Sequence, residues 1–168
     1  MPVSVLPIDA ASFRSLFRQH AGGVVVVTLD NGTGPVGFTA TSLASVSIDP
    51  PMATIAISNT SSTWPHLCTA DSVVVNFLDH DQSDLAGRFA THGIDRFASP
   101  TRWHRLGSAE PVLDDARRWM RAAVRDRIPV GDHHVVVLEV LDVEVTGDTG
   151  SALVYHRGNY HPIGHLNA

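Results

Sequence analysis

The sequence predicts a mainly β domain, an antiparallel barrel with a few short covering helices, and three observations carry that expectation. Apolar β-branched runs recur between clusters of turn residues, the helical patterns are few and short, and no repeat, linker or low-complexity segment interrupts them. Asp9 or Ser12 can cap a short helix running to about His20, with Phe13, Leu16 and Phe17 at helical spacing, and Gly22-Gly23 ends it. The β-branched run from Val24 to Leu29 predicts a strand buried on both sides. Asp30-Asn31-Gly32-Thr33-Gly34-Pro35 is dense in turn residues, so it predicts a hairpin into a second strand from Val36 to about Thr41. Pro50-Pro51 resets the chain, and Met52 to Ser58 reads as a third strand.

The second half follows the same logic. A Ser or Thr cap before Trp64-Pro65-His66-Leu67 predicts a helix start whose free N–H groups favour an anion. Val73 to Leu78 is a fourth strand, and Gln82 to about His92 a helix with Leu85, Ala86, Phe89 and Ala90 on one face. From Gly93 to Pro111 the pattern is irregular, with Trp103 as its anchor. Asp114 to Arg127 is ambiguous: its propensities favour helix, while its length and the turn at Pro129-Val130-Gly131-Asp132 equally allow a strand. Val135 to Val145 is a long strand, Asp148-Thr149-Gly150 a turn, and Val154-Tyr155 the centre of a short strand.

Composition removes several classes of function. At 168 residues, 43% hydrophobic and 17% charged, the chain reads as one globular domain spanning 1–168. A net charge of −5 offers no basic footprint for nucleic acid, and no apolar run approaches the roughly 20 residues of a membrane span. Met1 to Leu6 lacks the pattern of a secretory signal, so the cytoplasm is the expected compartment. Cys68 is the only cysteine, which excludes an intrachain disulfide and a CxxC pair. All 12 basic residues are arginine, so neither a Walker A loop nor a Schiff-base lysine is present. Arginine, hydroxyls and backbone amides must therefore hold any phosphate.

The most informative stretch is Gly37 to Pro51, which carries five hydroxyl side chains in nine residues before a double proline. Hydroxyls and amides packed that densely suit a polar, planar or phosphorylated ligand, although a plain polar loop reads the same way in isolation. Asn59-Thr60-Ser61-Ser62-Thr63 is a second such cluster, and the two lie at the ends of neighbouring strands where they can converge on one elongated ligand. Arg88, beside the small residues Ala86, Gly87 and Ala90, is a candidate anion contact. His133 starts a strand directly after a turn, where it either faces a cleft or sits on the surface. The trio His156, His161 and His165 is not expected to bind metal, because Pro162 and Gly164 break any helix between them and no acidic partner is near. Asp79, Asp81, Asp84, Asp114 and Asp115 read as solvated charges, and Arg117, Arg118, Arg121, Arg125 and Arg127 as a solvated or interface stripe. No Gly-x-Ser-x-Gly elbow and no GxGxxG follows a strand, so serine hydrolase and Rossmann sites are absent.

These pieces, in this order, resemble the short-chain flavin reductase family of FMN-binding split barrels. The resemblance rests on Phe13-Arg14, Gly23 to Thr28, Gly37 to Pro51, Ser62, Trp64 to Leu67, Val75-Asn76 and Gln82. It continues through Leu85-Ala86, Phe89-Ala90, Asp95-Arg96-Phe97, Gly131-Asp132-His133, Tyr155, Gly158 and Tyr160, and so covers about residues 12–162. It implies a six-stranded antiparallel split β-barrel, a homodimer, and reduction of FMN or FAD by NADH or NADPH. The reduced flavin would pass to a partner flavin-dependent monooxygenase. It also implies that Ala116 to about Arg127 is a strand. By position, Thr39, Ala40, Thr41 and Ser42 would line the isoalloxazine and ribityl chain. Ala56, Ile57 and Ser58 would pass along the ring with Asn59 beside it, and Ser62 and Thr63 would take the phosphate. Arg88, Phe89 and Ala90 would close that side, while His133 would face the nicotinamide with Tyr155 and Tyr160 shaping its pocket.

Hydride transfer between two stacked rings needs alignment more than a protein acid or base, and the absence of a catalytic dyad agrees with that. His133 would orient the nicotinamide and favour the anionic reduced flavin. The rival expectations are a flavoprotein that keeps FMN tightly, as an electron carrier or oxidase, and a non-enzymatic flavin-binding split barrel.

Overall fold

The computed structural model describes residues 7–147 and 150–163. The readings made at Met1–Leu6, at the Asp148-Thr149 turn and at His165 lie outside these residues. Helix α1 (Ala10–Phe17) starts where Asp9 caps it, its carboxylate accepting the Ser12 N–H at 2.8 Å. Strands β1 (Gly22–Gly23), β2 (Val25–Asp30), β3 (Pro35–Ala40), β4 (Ala44–Ile48) and β5 (Pro51–Ser58) follow. Next come α2 (Trp64–Leu67), β6 (Ser72–Phe77), α3 (Ser83–Ala90), β7 (Trp103–Arg105) and β8 (Pro111–Leu113). The chain continues through β9 (Arg118–Val130), β10 (His133–Val145), β11 (Leu153–His156) and β12 (Asn159–Pro162).

The main sheet corrects the expected strand number. Seven antiparallel strands, in the order β3-β2-β6-β9-β10-β5-β4, replace the closed six-stranded barrel. The sheet curls until β3 meets β5, yet no backbone ladder joins them. The Ser42 hydroxyl bridges them instead, accepting the Ala56 N–H at 2.9 Å and donating to the Ala56 carbonyl at 3.1 Å. The added strand, β4, covers only the first half of β5, ending at the Ala44–Thr54 pair, so the second half of β5 stays open along the seam.

Both faces of β2 are buried, as its sequence predicts. Val25, Val27 and Leu29 enter the core inside the curled sheet with Ile55, Val75 and Leu138. Val24 and Val26 pack on the other side against Phe89, Phe97 and Leu153. Full burial of each such side chain contributes roughly 1.5–3 kcal/mol. The ambiguous segment is strand β9, paired with β6 on one edge and β10 on the other. Two ladders satisfy its backbone, and that outweighs the helix propensity of its alanines and arginines. Trp103 does anchor the irregular stretch, with its indole N–H on the Phe97 carbonyl at 3.2 Å, and it also begins the short β7–β8 hairpin.

Two charge readings are corrected. Asp79 is fully buried, not solvated, and is clamped by Arg117 at 2.8 Å and by Arg118. The arginine stripe is more than a solvated face: Arg121 bonds Glu110 at 2.7 Å, Arg127 donates to the Leu67 and Ala70 carbonyls, and Arg125, itself exposed, pairs with Glu139. No helix among the described residues is long and apolar enough to cross a membrane.

Candidate active site

The open seam between β3 and β5 forms a cleft of about 380 Å³. One wall is Phe38 to Ser42, the other Ala56 to Ser58, and Phe89 and Ala90 at the end of α3 form the floor. Ser61, His92, Arg96 and His133 complete the lining. Thr39, Ala40, Thr41, Ser42, Ala56, Ile57, Ser58, Phe89, Ala90 and His133 thus come together around one space.

Folding decides which of the hydroxyls face that space. Thr39 donates to the Ala86 carbonyl at 2.6 Å, which ties β3 to α3. Ser42 is committed to Ala56, and Ser58 shares a 3.0 Å hydrogen bond with Thr60. Thr41 is exposed, and its hydroxyl has no partner among the described residues. Polar and apolar surface therefore alternate along the cleft, and of these four hydroxyls only that of Thr41 is not spent on the fold.

One margin is cationic. The Arg96 guanidinium donates to the Gly37 carbonyl at 2.6 Å and to the Thr91 carbonyl at 2.9 and 3.0 Å, with Thr63 Oγ1 at 3.4 Å. No carboxylate pairs with it among the described residues, and burial pulls its pKa below the usual guanidinium value. Its positive charge thus sits without a countercharge where the cleft meets the neighbouring cavity. Sequence reasoning did not single out Arg96 as a site residue, although Asp95-Arg96-Phe97 was part of the resemblance. Ser61 and His92 were missed as well; the signal for Ser61 was its place in the second hydroxyl cluster.

Several expected residues lie elsewhere. Ser62 and Thr63 line an adjoining cavity of about 290 Å³ that meets the cleft at Arg96. Thr63 is buried, with its hydroxyl donated to the Gly37 carbonyl at 3.2 Å, and α2 behind it is a single turn. Arg88 faces the opposite flank of α3, where Asp81, Asp84, Asp115 and Arg117 line a cavity of about 700 Å³. That larger cavity is carboxylate-rich and shares no lining residue with the cleft. Asn59 serves the neighbouring turn: its N–H donates to the Asp132 carbonyl at 3.0 Å, and its side chain bonds His134 at 2.7 Å. His134 in turn stacks on Trp64.

His133 enters from the β9–β10 turn, where Gly131 takes φ 58°, a left-handed conformation that suits glycine. Pairing with Ser58 fixes its position along β5. Its Nδ1 lies 2.7 Å from Asp132 Oδ1, and the His133 hydrogen bond is the main cause holding the Asp132 carboxyl below its usual pKa. An ionised carboxylate only accepts, so Nδ1 carries the proton and Nε2 is the ring nitrogen left free. Tyr155 and Tyr160 pair across β11 and β12 with ring centroids 5.3 Å apart, outside the cleft lining. No group of His, Cys, Asp and Glu among the described residues could hold a metal ion.

Known proteins share this architecture. An NADH:FMN oxidoreductase of Rhodococcus qingshengii is 46% identical over 163 residues, covering 94% of this chain and 85% of that protein. The reductase component of a 4-nitrophenol 4-monooxygenase/4-nitrocatechol 2-monooxygenase of Rhodococcus opacus is 34% identical over 163 residues, covering 96% and 86%. The crystal structure of a flavin reductase domain protein from Arthrobacter sp. FB24 superposes with a TM-score of 0.88 at 34% identity, covering 95% of this chain and 99% of that one. The family described as flavin reductase like domain matches residues 17–164, and the chain belongs to that family.

Proposed function

We propose that this protein is an NAD(P)H-dependent flavin reductase. In this reading it is a single cytoplasmic domain working as a homodimer, and it hands reduced FMN or FAD to a partner flavin-dependent monooxygenase. The observation that carries the reading is the cleft itself, an elongated gap between the Phe38–Ser42 and Ala56–Ser58 walls, cationic at Arg96 and overlooked by half-exposed His133. That arrangement matches an isoalloxazine, a ribityl chain and a phosphate, and the volume lies within the range of small-molecule sites. The names of the relatives, an NADH:FMN oxidoreductase and a monooxygenase reductase component, support the same activity.

The flavin supplies a ring that accepts a hydride from a nicotinamide. The protein contributes alignment. The backbone of Ala40 and Ile57 and the side chain of Ala56 border the ring, Thr41 offers a hydroxyl, and Arg96 with Ser61 and Ser62 forms a phosphate end in place of the Ser62-Thr63 pair alone. His133, braced by Asp132, stands where it can orient a nicotinamide carboxamide through Nε2. Exposed Ile48 on β4 and Val143 and Val145 on β10 offer apolar surface for a second copy.

Steady-state oxidation of NADH and NADPH with added FMN and FAD tests the activity. Turnover of at least one pair by protein that leaves gel filtration colourless is the expected result. Oxidation of neither nucleotide with either flavin would refute the reading, and retained yellow colour would favour a tightly held prosthetic flavin.

A further inference from the structure

We propose that Arg14, Arg18 and Arg157 form a binding site for the pyrophosphate of the dinucleotide hydride donor, an inference that rests on the reductase reading. Arg14 and Arg18 stand one turn apart on α1 and so share one of its faces. Arg18 reaches the β11–β12 turn, its Nη2 3.4 Å from where a Cβ on Gly158 would lie, and its carbonyl accepts the Arg157 N–H at 2.9 Å. Arg14 continues the same face one turn nearer the start of the helix.

The cations are also beside the cleft. Gly22 pairs with Tyr155 in register, and a Cβ on Gly22 would meet the Thr41 carbonyl at 2.9 Å, so the β1–β11 corner abuts the Thr41 wall. A donor whose nicotinamide lies near His133 would extend its pyrophosphate across this corner. None of the three arginines has an ion-pair partner among the described residues; Arg88, Arg96 and Arg127 lack one too, but Arg96 and Arg127 are bonded to backbone carbonyls and Arg88 lies in the cavity lined by Asp81, Asp84 and Asp115. In a chain of net charge −5, three unpaired cations on two adjoining elements mark a site for an anion. Arg157 adds a further sign. Arg157 and Gly158 have φ of 51° and 89°, a hairpin turn whose first position favours Asn or Gly, yet an arginine stands there. The half-exposed Tyr155 supplies an aromatic face beside the cations, which suits a dinucleotide better than a free inorganic anion.

The test uses donors that differ only in carrying the pyrophosphate. NADH or NADPH, whichever the wild type uses, is compared with 1-benzyl-1,4-dihydronicotinamide, which has a nicotinamide ring and no phosphate. In Arg14→Gln/Arg18→Gln, the ratio of kcat/KM for the dinucleotide to that for the benzyl compound should fall at least tenfold. Calorimetric titration with ADP-ribose, which lacks the nicotinamide, should show at least tenfold weaker binding to the variant. Wild-type affinity for ADP-ribose should also fall as salt is raised. An unchanged ratio together with unchanged ADP-ribose binding overturns the arginine site and leaves the reductase reading standing. Wild-type protein inactive with both donors overturns the reductase reading, and the arginine site with it. Because α1 buries no side chain, the two substitutions leave the core untouched.

Discussion

Gly37→Ala should weaken both the fold and the proposed flavin site, and the size of the effect follows from what a methyl group would meet there. A Cβ on Gly37 would lie 2.7 Å from the Val27 carbonyl oxygen and 2.9 Å from Phe89 Cε1. The first obstacle is backbone of the paired strand β2, which cannot swing aside without opening the Val27–Phe38 ladder. The second is a fully buried ring held edge-on by Phe97 at 5.2 Å, so it has no free volume to enter. Overpacking of this kind costs about 3 kcal/mol at the upper end of its range. Replacing glycine in a strand returns roughly 0.5–1 kcal/mol of chain entropy. The net loss of about 2 kcal/mol corresponds to a Tm lowered by roughly 4–8 °C for a chain of this length.

The same displacement moves the Gly37 carbonyl, which both Arg96 and Thr63 bond, so the flavin KM should rise alongside. Thermal unfolding of wild type, Gly37→Ala, Phe89→Leu and the double variant measures the packing component. Leucine lacks the Cε1 atom, so the double variant should be less destabilised than the sum of the singles by about 1 kcal/mol or more. A Tm for Gly37→Ala within about 1 °C of wild type, or strictly additive singles, would show that the β2–β3 pair relaxes around the methyl group and that the contact argument is wrong.

Three other perturbations have defined outcomes. His133→Ala should lower NAD(P)H-dependent flavin reduction at least tenfold while leaving flavin affinity nearly intact by fluorescence titration; wild-type turnover would remove His133 from the site. Asp79→Asn replaces the one fully buried partner of Arg118, and of Arg117 beside its second partner Asp81, with a neutral amide, and should cost about 1.5–3 kcal/mol in urea unfolding. A cost below about 1 kcal/mol would mean that the clamp contributes no more than a surface ion pair. Asp30 is desolvated, which raises its pKa, but the Gly32 and Gly34 N–H groups and Arg105 outweigh that and hold the carboxyl below its usual value. Its stabilising effect is therefore complete above the ordinary carboxylate pKa of about 3.9 and lost as pH falls through the folded value. Stability measured from pH 5 downward should fall more steeply for wild type than for Asp30→Asn, and parallel slopes would refute the assignment.

What the sequence disclosed and what it hid divide along physical lines. Strand β2 was legible because burial on both faces leaves a continuous apolar run, and the hairpin after it because Gly32 and Gly34 take positive φ. Strand β9 was ambiguous because the ladders that hold it come from β6 and β10, far away in sequence. Strand β4 was invisible: it lies at an edge, and four of its five residues are exposed, so no alternation of burial marks it. At the site, a hydroxyl-rich stretch announces a polar margin without saying which oxygens are spent on the fold. Arg96 and Asp79 follow the same rule, since whether a charge has a partner is settled only when distant strands meet.

Ser42 shows why those two kinds of information are inseparable here. A backbone ladder would draw β3 and β5 to about 4.8 Å apart and close the barrel. The Ser42 hydroxyl instead satisfies both polar groups of Ala56 through a side chain, so the strands meet without pairing further along. The groups from Thr39 to Thr41 and from Ile57 to Ser58 are thereby left facing each other across a gap. One residue read from the sequence as a ligand contact thus keeps open the seam in which the proposed ligand would lie.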